Sequence, residues 1–115
     1  MRFLNDKVHG VIDYAAAIAL MVMPFVLGFT GIAMMLSVAG GAALFLYSLL
    51  TSYSLSARNA IPFGVHLVID FIAGVAFVAA PFLFGFEGIV QTYYFVMGGA
   101  VILVVLLTNP AVGGE

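Results

Sequence analysis

The sequence predicts an all-α protein, namely a four-helix transmembrane bundle built from two tandem helical-hairpin repeats related by a pseudo-two-fold axis along the membrane normal. The 115-residue chain is 65% hydrophobic and only 7% charged, with a mean hydropathy of +1.28, whereas soluble domains carry about 25% charged residues. Four apolar stretches have the length of about 20 residues that a bilayer span needs. In addition, the two halves of the chain carry similar sequences.

The internal repeat sets the architecture. Residues 8–32 and 65–89 align without a gap at an offset of 57 positions, and 13 of the 25 pairs are identical. The identical pairs include His9/His66, Asp13/Asp70, Pro24/Pro81, Phe25/Phe82, Gly28/Gly85, Phe29/Phe86 and Gly31/Gly88. Because each copy is expected to be a hairpin with two spans, the two copies have the same orientation and form a parallel repeat.

The apolar stretches are expected to be helices. Strands of a membrane barrel alternate apolar and polar residues, and these stretches do not. Charged residues are absent from the second and fourth stretches, and the first and third contain one each, Asp13 and Asp70. The stretches run roughly over residues 8–29, 31–53, 63–85 and 88–108.

Capping and turn residues give the helix boundaries. Asn5 or Asp6 can cap helix 1, and Pro62 suits the first turn of helix 3. Pro24 and Pro81 fall in the last turns of helices 1 and 3, where each removes one backbone donor. Each is followed by a Gly-Phe-x-Gly segment that predicts a tight turn. Structural roles are therefore predicted for the residues that end these helices, Pro24, Gly28, Pro81 and Gly85.

Residues 1–115 are expected to form a single transmembrane domain in a bacterial cytoplasmic membrane. Arg2, Lys7 and Arg58 lie on one side of the predicted spans, and the two tight turns carry no Lys or Arg. The positive-inside rule therefore predicts that both termini and the linker face the cytoplasm. The parts are repeat 1 over about 5–55, a linker over about 54–62, and repeat 2 over about 62–110.

Composition excludes several classes of function. With no cysteine, the chain forms no disulfide and offers no thiolate ligand. A net charge of -2 gives no basic surface for nucleic acid. The sequence holds no nucleophile elbow, phosphate loop or nucleotide fingerprint, so no enzymatic activity and no catalytic residue are predicted. The expected partners are the lipid bilayer and either a second copy or a larger membrane complex, since Ser37 and Gly41 have the small-xxx-small spacing typical of helix association.

Both histidines and two carboxylates lie inside the repeat. His9 and Asp13 are four residues apart, as are His66 and Asp70, so each pair shares one helix face. Titratable groups at this depth seldom face lipid. The four side chains are therefore expected to converge between helices 1 and 3 near the cytoplasmic face.

Four interpretations of this convergence stay open. The favoured one is a structural or interaction role with no cofactor, in which His9 bonds to one aspartate and His66 to the other. These contacts would organise the helix core at about 0.6–2 kcal/mol each. A second is a divalent metal site with His9, Asp13, His66 and Asp70 as ligands, a set that zinc accepts. A third is a proton- or ion-linked transport or sensor function, although helices 1 and 3 carry almost no polar groups deeper in the membrane. A fourth is haem held by His9 and His66, for which few cationic residues are available.

The chain resembles the small bacterial membrane proteins grouped as SPW-repeat proteins. The similarity lies in the duplicated Pro-Phe-x-x-Gly-Phe elements, which read Met23-Pro24-Phe25 and Ala80-Pro81-Phe82 at the signature positions, and in the connecting segment LTSYSLSARNAIPFGVHLVIDF. The resemblance implies paired hairpins in a bacterial membrane, and it implies no catalytic residue.

Overall fold

The computed structural model describes residues 3–52 and 61–110, and this part of the chain forms four long helices. Each helix has 20 to 22 residues, or about 30 Å at 1.5 Å per residue, which matches the hydrocarbon core of a bilayer. All four are apolar enough to cross a membrane, so the chain is an integral membrane protein. The elements are α1 (Asp6–Val26), α2 (Gly31–Leu50), β1 (Thr51–Ser52), β2 (Ile61–Pro62), α3 (Phe63–Phe84) and α4 (Gly88–Leu107).

The predicted pair of hairpins is confirmed, because α1 packs along α2 and α3 packs along α4. The structure also defines the residues at which α1 and α3 begin. The Asn5 side chain accepts a hydrogen bond from the Val8 N–H at 2.8 Å, so Asn5 rather than Asp6 caps α1. Pro62 is the N-cap residue that directly precedes the first turn of α3, and it also pairs with Ser52 in a short parallel ladder.

The turns that close the two hairpins have the same backbone conformation. Four glycines in these turns have φ angles of 59° to 75°, a region that glycine enters without steric cost. They are Gly28, Gly31, Gly85 and Gly88. Before each turn, a proline carbonyl in the last helical turn accepts a hydrogen bond: Pro24 from the Phe29 N–H at 2.8 Å, and Pro81 from the Phe86 N–H at 3.0 Å.

Two glycines at equivalent repeat positions allow close helix contact within each hairpin. A Cβ atom on Gly41 would lie 2.7 Å from the Ala17 carbonyl oxygen, and one on Gly98 would lie 2.7 Å from the Gly74 carbonyl oxygen. Gly99, the neighbour of Gly98, faces open space instead. Gly41 is therefore used for packing inside its own hairpin.

The opposite ends of the hairpins are joined by two short backbone pairings. Thr51 pairs with Ile61, and Leu4 pairs with Thr108, both in the parallel sense. At the repeat offset of 57 residues, Thr51 corresponds to Thr108 and Leu4 corresponds to Ile61. The two pairings are thus the same contact repeated by the predicted pseudo-two-fold relation.

The outward faces of the helices are apolar. Large side chains such as Met35, Ile72 and Phe82 are 60–77% exposed. Contiguous apolar surface of this kind is unusual on a soluble monomer and is the expected surface in lipid. A core between the helices is formed by Ala17, Leu20, Phe29, Ala33, Leu44, Phe77, Ala80, Tyr93 and Tyr94.

Candidate functional site

The structure brings together the four titratable side chains that the repeat singles out. His9 and Asp13 lie in the first turns of α1, and His66 and Asp70 occupy the same positions in α3. We call these four residues the His–Asp quartet. Their exposed fractions are 0–5%, so the quartet is a buried site where the two hairpins meet.

Four short distances connect the quartet. His9 Nε2 lies 3.1 Å from Oδ2 of Asp13 and 3.1 Å from Oδ2 of Asp70. His66 Nε2 lies 2.7 Å and 3.2 Å from the same two oxygens. Each histidine therefore contacts both carboxylates, whereas the sequence analysis expected one aspartate per histidine.

Two threonines contact the other nitrogen of each imidazole. Thr108 Oγ1 lies 2.8 Å from His9 Nδ1, and Thr51 Oγ1 lies 2.6 Å from His66 Nδ1. Each threonine hydroxyl donates its single proton to the backbone carbonyl four residues earlier, at 2.5 and 2.6 Å. The hydroxyl must then accept from the histidine, so Nδ1 carries a proton in both imidazoles. Both Nε2 atoms consequently face the carboxylates.

The surroundings of the two aspartates differ. The Tyr47 hydroxyl donates a hydrogen bond to Asp70 Oδ1. The residue at the equivalent position of the second repeat is Val104, which has no hydroxyl group. The four residues of the quartet are identical at equivalent positions of the two repeats, but the residues around them, such as Tyr47 and Val104, are only partly identical.

Aromatic rings enclose the quartet. The Phe63 ring centroid is 5.4 Å from that of His9, and the Tyr47 ring centroid is 4.5 Å from that of His66. The two imidazoles contact each other edge to face at 5.6 Å. In such an enclosed site an unpaired charge is costly, so the charges of the quartet have to be balanced within it.

The hairpins also make polar contact nearer their turns. Ser37 donates a hydrogen bond to the Leu20 carbonyl at 2.8 Å and accepts one from the Tyr93 hydroxyl at 2.6 Å. The Tyr94 hydroxyl donates to the Ala33 carbonyl at 2.5 Å. The expectation of few polar groups below the quartet holds for α1 and α3, but α2 and α4 supply this second contact.

A cavity of about 270 Å³ adjoins the quartet between the two hairpins. Asp13, Asp70 and Tyr47 form its polar boundary, and the other residues that line it are apolar. Leu20 and Phe77 lie on its wall deeper in the membrane. Among the described residues, the polar side chains that line the cavity are therefore confined to its end at the quartet.

The quartet presents donor atoms of two kinds. Two imidazole nitrogens and two carboxylate oxygens lie within 4.8 Å of one another. Such atoms bind divalent metal ions, and they also share protons in hydrogen bonds. Either chemistry joins one hairpin to the other.

Three groups of the site lie outside the repeated segments 8–32 and 65–89: the hydroxyls of Thr51, Thr108 and Tyr47. A signal for the threonines exists, because both end an identical Leu-Leu-Thr tripeptide at the same 57-residue offset. Extending the repeat alignment to the ends of helices 2 and 4 finds them. Tyr47 breaks the repeat, so this comparison gives no signal for it.

Comparison with known proteins supports the family resemblance. Residues 7–109 match the family model described as the SPW repeat domain. The match includes both hairpins and every member of the quartet. No curated protein and no solved structure matches the chain.

Proposed function

Because this chain belongs to the SPW repeat family and is an integral membrane protein, we propose that it has a structural or interaction role without enzymatic activity. In this role the His–Asp quartet connects the two hairpins. The observation that carries the proposal is the reciprocal insertion of the two imidazoles. His9 contacts Asp70 and Thr108 of the second hairpin, and His66 contacts Asp13 and Thr51 of the first.

The energetics of lipid support this role. Helices in a bilayer gain no hydrophobic driving force from association, because lipid tails are as apolar as leucine, so packing and polar contacts hold them together. Within the described residues the hairpins are separated near the quartet by the 270 Å³ cavity. The quartet is thus well placed to determine how the hairpins sit against each other.

Burial of the quartet supports a non-catalytic role. General acid–base catalysis requires a titratable group within hydrogen-bond reach of a substrate. His9 and His66 are completely buried, and both nitrogens of each ring are engaged with neighbouring side chains. A substrate would have to displace these contacts before it reached the imidazole.

For location we propose the cytoplasmic membrane of a bacterium, with both termini in the cytoplasm. The exposed Lys7 stands at the start of α1, and Arg2 and Arg58 lie outside the described residues. A reporter that fluoresces only in the cytoplasm, fused after residue 115, is expected to be fluorescent. A periplasmic reporter active at the same position would contradict this orientation.

The interaction part of the role concerns the lipid-facing surface. All four helices expose large apolar side chains there, which suit contact with lipid, with a second copy or with helices of a larger membrane complex. Analytical ultracentrifugation of the detergent-solubilised chain distinguishes a monomer from an oligomer. A monomer that also co-purifies with no other membrane protein would contradict the interaction role.

The structural role is tested by thermal unfolding of the full-length protein in detergent, followed by circular dichroism. His9→Ala and His66→Ala are both expected to lower the unfolding temperature, because each leaves buried partners without their hydrogen bonds. Thr92→Ala is the matched control, since this exposed hydroxyl bonds to the carbonyl of Gly88 in its own helix. Histidine variants that unfold at the same temperature as wild type would contradict the proposal.

A further inference from the structure

We propose that the His–Asp quartet binds one divalent transition-metal ion, with zinc as the best match. The inference builds on the proposed function, because the ion would occupy the contact that connects the hairpins. It adds the chemical identity of the ligand. The ligand atoms are Nε2 of His9 and His66 and Oδ2 of Asp13 and Asp70.

The first argument is the convergence of the four atoms. In a set of separate hydrogen-bonded pairs, each Nε2–H points at one oxygen, and the two carboxylates stay apart. Here each Nε2 lies at similar distances from both Oδ2 atoms, 3.1 and 3.1 Å for His9 and 2.7 and 3.2 Å for His66. Each carboxylate presents the same oxygen to both histidines. All four atoms lie within 4.8 Å of one another, as ligands around a single ion do.

The second argument is the size of that arrangement. Ligands at about 2.0–2.2 Å from a tetrahedral zinc ion are about 3.3–3.6 Å from one another. The nitrogen–oxygen separations of 2.7–3.2 Å are shorter than this. Binding of the ion would therefore move these side chains apart by less than about 1 Å.

The Nδ1 side of each imidazole is also arranged as in metal sites. The hydroxyls of Thr51 and Thr108 have each given their own proton to a backbone carbonyl, so each accepts the Nδ1–H of a histidine and directs Nε2 toward the carboxylates. Zinc binding would displace any proton from Nε2, since a histidine ligand is neutral. Histidines that bind metals are oriented in the same way, by a hydrogen bond from the second ring nitrogen.

Charge balance also fits an ion. When a metal is bound, both imidazoles are neutral ligands, so the two carboxylates carry a charge of −2 that one divalent cation neutralises. The quartet is at most 5% exposed, and a net charge buried among apolar helices is costly. One divalent ion supplies the whole of this compensating positive charge. The Tyr47 hydroxyl bonds to Asp70 Oδ1, as outer residues commonly do for carboxylate ligands.

The donor set and enclosure favour zinc over other ions. Magnesium and calcium prefer six or more oxygen ligands, whereas two nitrogens and two oxygens suit a four-coordinate zinc ion. A closed four-ligand site is typical of structural zinc. A porphyrin ring does not fit between imidazoles whose Nε2 atoms lie 2.7–3.2 Å from carboxylate oxygens, so this geometry favours a bare ion over haem.

The test uses the full-length protein in detergent, purified with a tag that lacks histidine. The protein is treated with a chelator, dialysed against zinc, and measured by elemental analysis. We expect about one zinc ion per chain, and cobalt(II) in its place should give the intense visible absorption of tetrahedral coordination. Wild-type protein that retains no zinc and gives no such cobalt spectrum would overturn the proposal.

Variants locate the ion at the quartet. Asp13→Ala, with folding checked by circular dichroism, is expected to lose stoichiometric zinc. Thr108→Val keeps all four ligands and removes only the group that orients His9, so zinc affinity should fall about 10–100-fold. Ser37→Ala is the matched control, because it removes a buried contact between the hairpins far from the ligands. Equal losses of affinity in Ser37→Ala and Thr108→Val would overturn the assignment.

The same samples separate this inference from the structural role. If wild-type protein binds no zinc but His66→Ala still unfolds at a lower temperature, the metal site is refuted and the structural role stands. If wild-type protein binds one zinc ion but His66→Ala unfolds like wild type, the structural role is refuted and the metal site stands.

Discussion

The two hairpins of this protein share the residues that determine geometry and differ in the residues around them. Histidine, aspartate, threonine and the packing glycine recur at an offset of 57 residues, and they make equivalent contacts in both halves. Other inward-facing positions differ, among them the pairs Tyr47/Val104, Ser48/Val105 and Ser37/Tyr94.

This difference separates two kinds of interaction. Contacts between repeated residues require both hairpins. His9 of the first hairpin bonds to Thr108 of the second, and His66 of the second bonds to Thr51 of the first. Contacts between residues that differ between the two repeats, such as the Ser37–Tyr93 hydrogen bond, are additional to these repeated contacts. We therefore expect mutations at repeated positions to have large and paired effects, and mutations at divergent positions to have small and unpaired ones.

The largest effects are expected for the two aspartates. Asp13→Ala and Asp70→Ala should each lower the free energy of unfolding by about 3–5 kcal/mol, because each breaks a buried charge cluster. Asp70→Ala also leaves the Tyr47 hydroxyl without this acceptor. Denaturant titration in detergent measures both. Glu87→Ala is the control, because this exposed carboxylate makes no capping hydrogen bond. If Asp13→Ala loses no more stability than this control, the repeated aspartates do not have the large effect expected of them.

Intermediate effects are expected for the packing glycines. Gly41→Ala and Gly98→Ala should each cost about 1–3 kcal/mol, because the added methyl group overlaps a backbone carbonyl of the facing helix. Gly99→Ala should be neutral or stabilising by about 0.5–1 kcal/mol, since alanine favours the helix and the site is open. The same titration measures all three. Destabilisation by Gly99→Ala equal to that by Gly98→Ala would contradict the structure.

The smallest effect is expected where the repeats differ at Ser48. Its hydroxyl is buried and has no hydrogen-bond partner among the described residues, and the second repeat has Val105 at this position. Ser48→Ala should leave stability unchanged or raise it by up to about 1 kcal/mol, because an unsatisfied buried hydroxyl is removed. A loss of more than about 1 kcal/mol would mean that the hydroxyl makes a favourable contact.

The hairpins and the quartet could be predicted because apolar helix-length stretches and the internal duplication can be read directly from the sequence. A four-residue spacing places His9 and Asp13 on one helix face, and the burial cost of such groups in lipid directs both copies inward. The turn glycines follow from the positive φ angles that the turns require.

Other parts of the site depend on distance in space and left weaker signals. Thr51 and Thr108 lie at the ends of helices 2 and 4, and only the hairpin fold brings them to the histidines. The pairing of Tyr47 with Asp70 depends on how one hairpin faces the other, which hydropathy does not encode. The sequence also leaves open whether Nδ1 of each histidine carries a proton, and the threonine hydrogen bonds assign one there.

The central claim is that the quartet connects the two hairpins, and a double-mutant cycle between His9 and Asp70 tests it most directly. These residues are 61 positions apart and belong to different hairpins, yet their side chains are 3.1 Å apart. The unfolding free energies of His9→Ala, Asp70→Ala and the double variant should give a coupling energy of about 0.5–3 kcal/mol, as expected for residues in contact. Effects that add to within about 0.3 kcal/mol would show that the two residues do not interact, and would contradict the account.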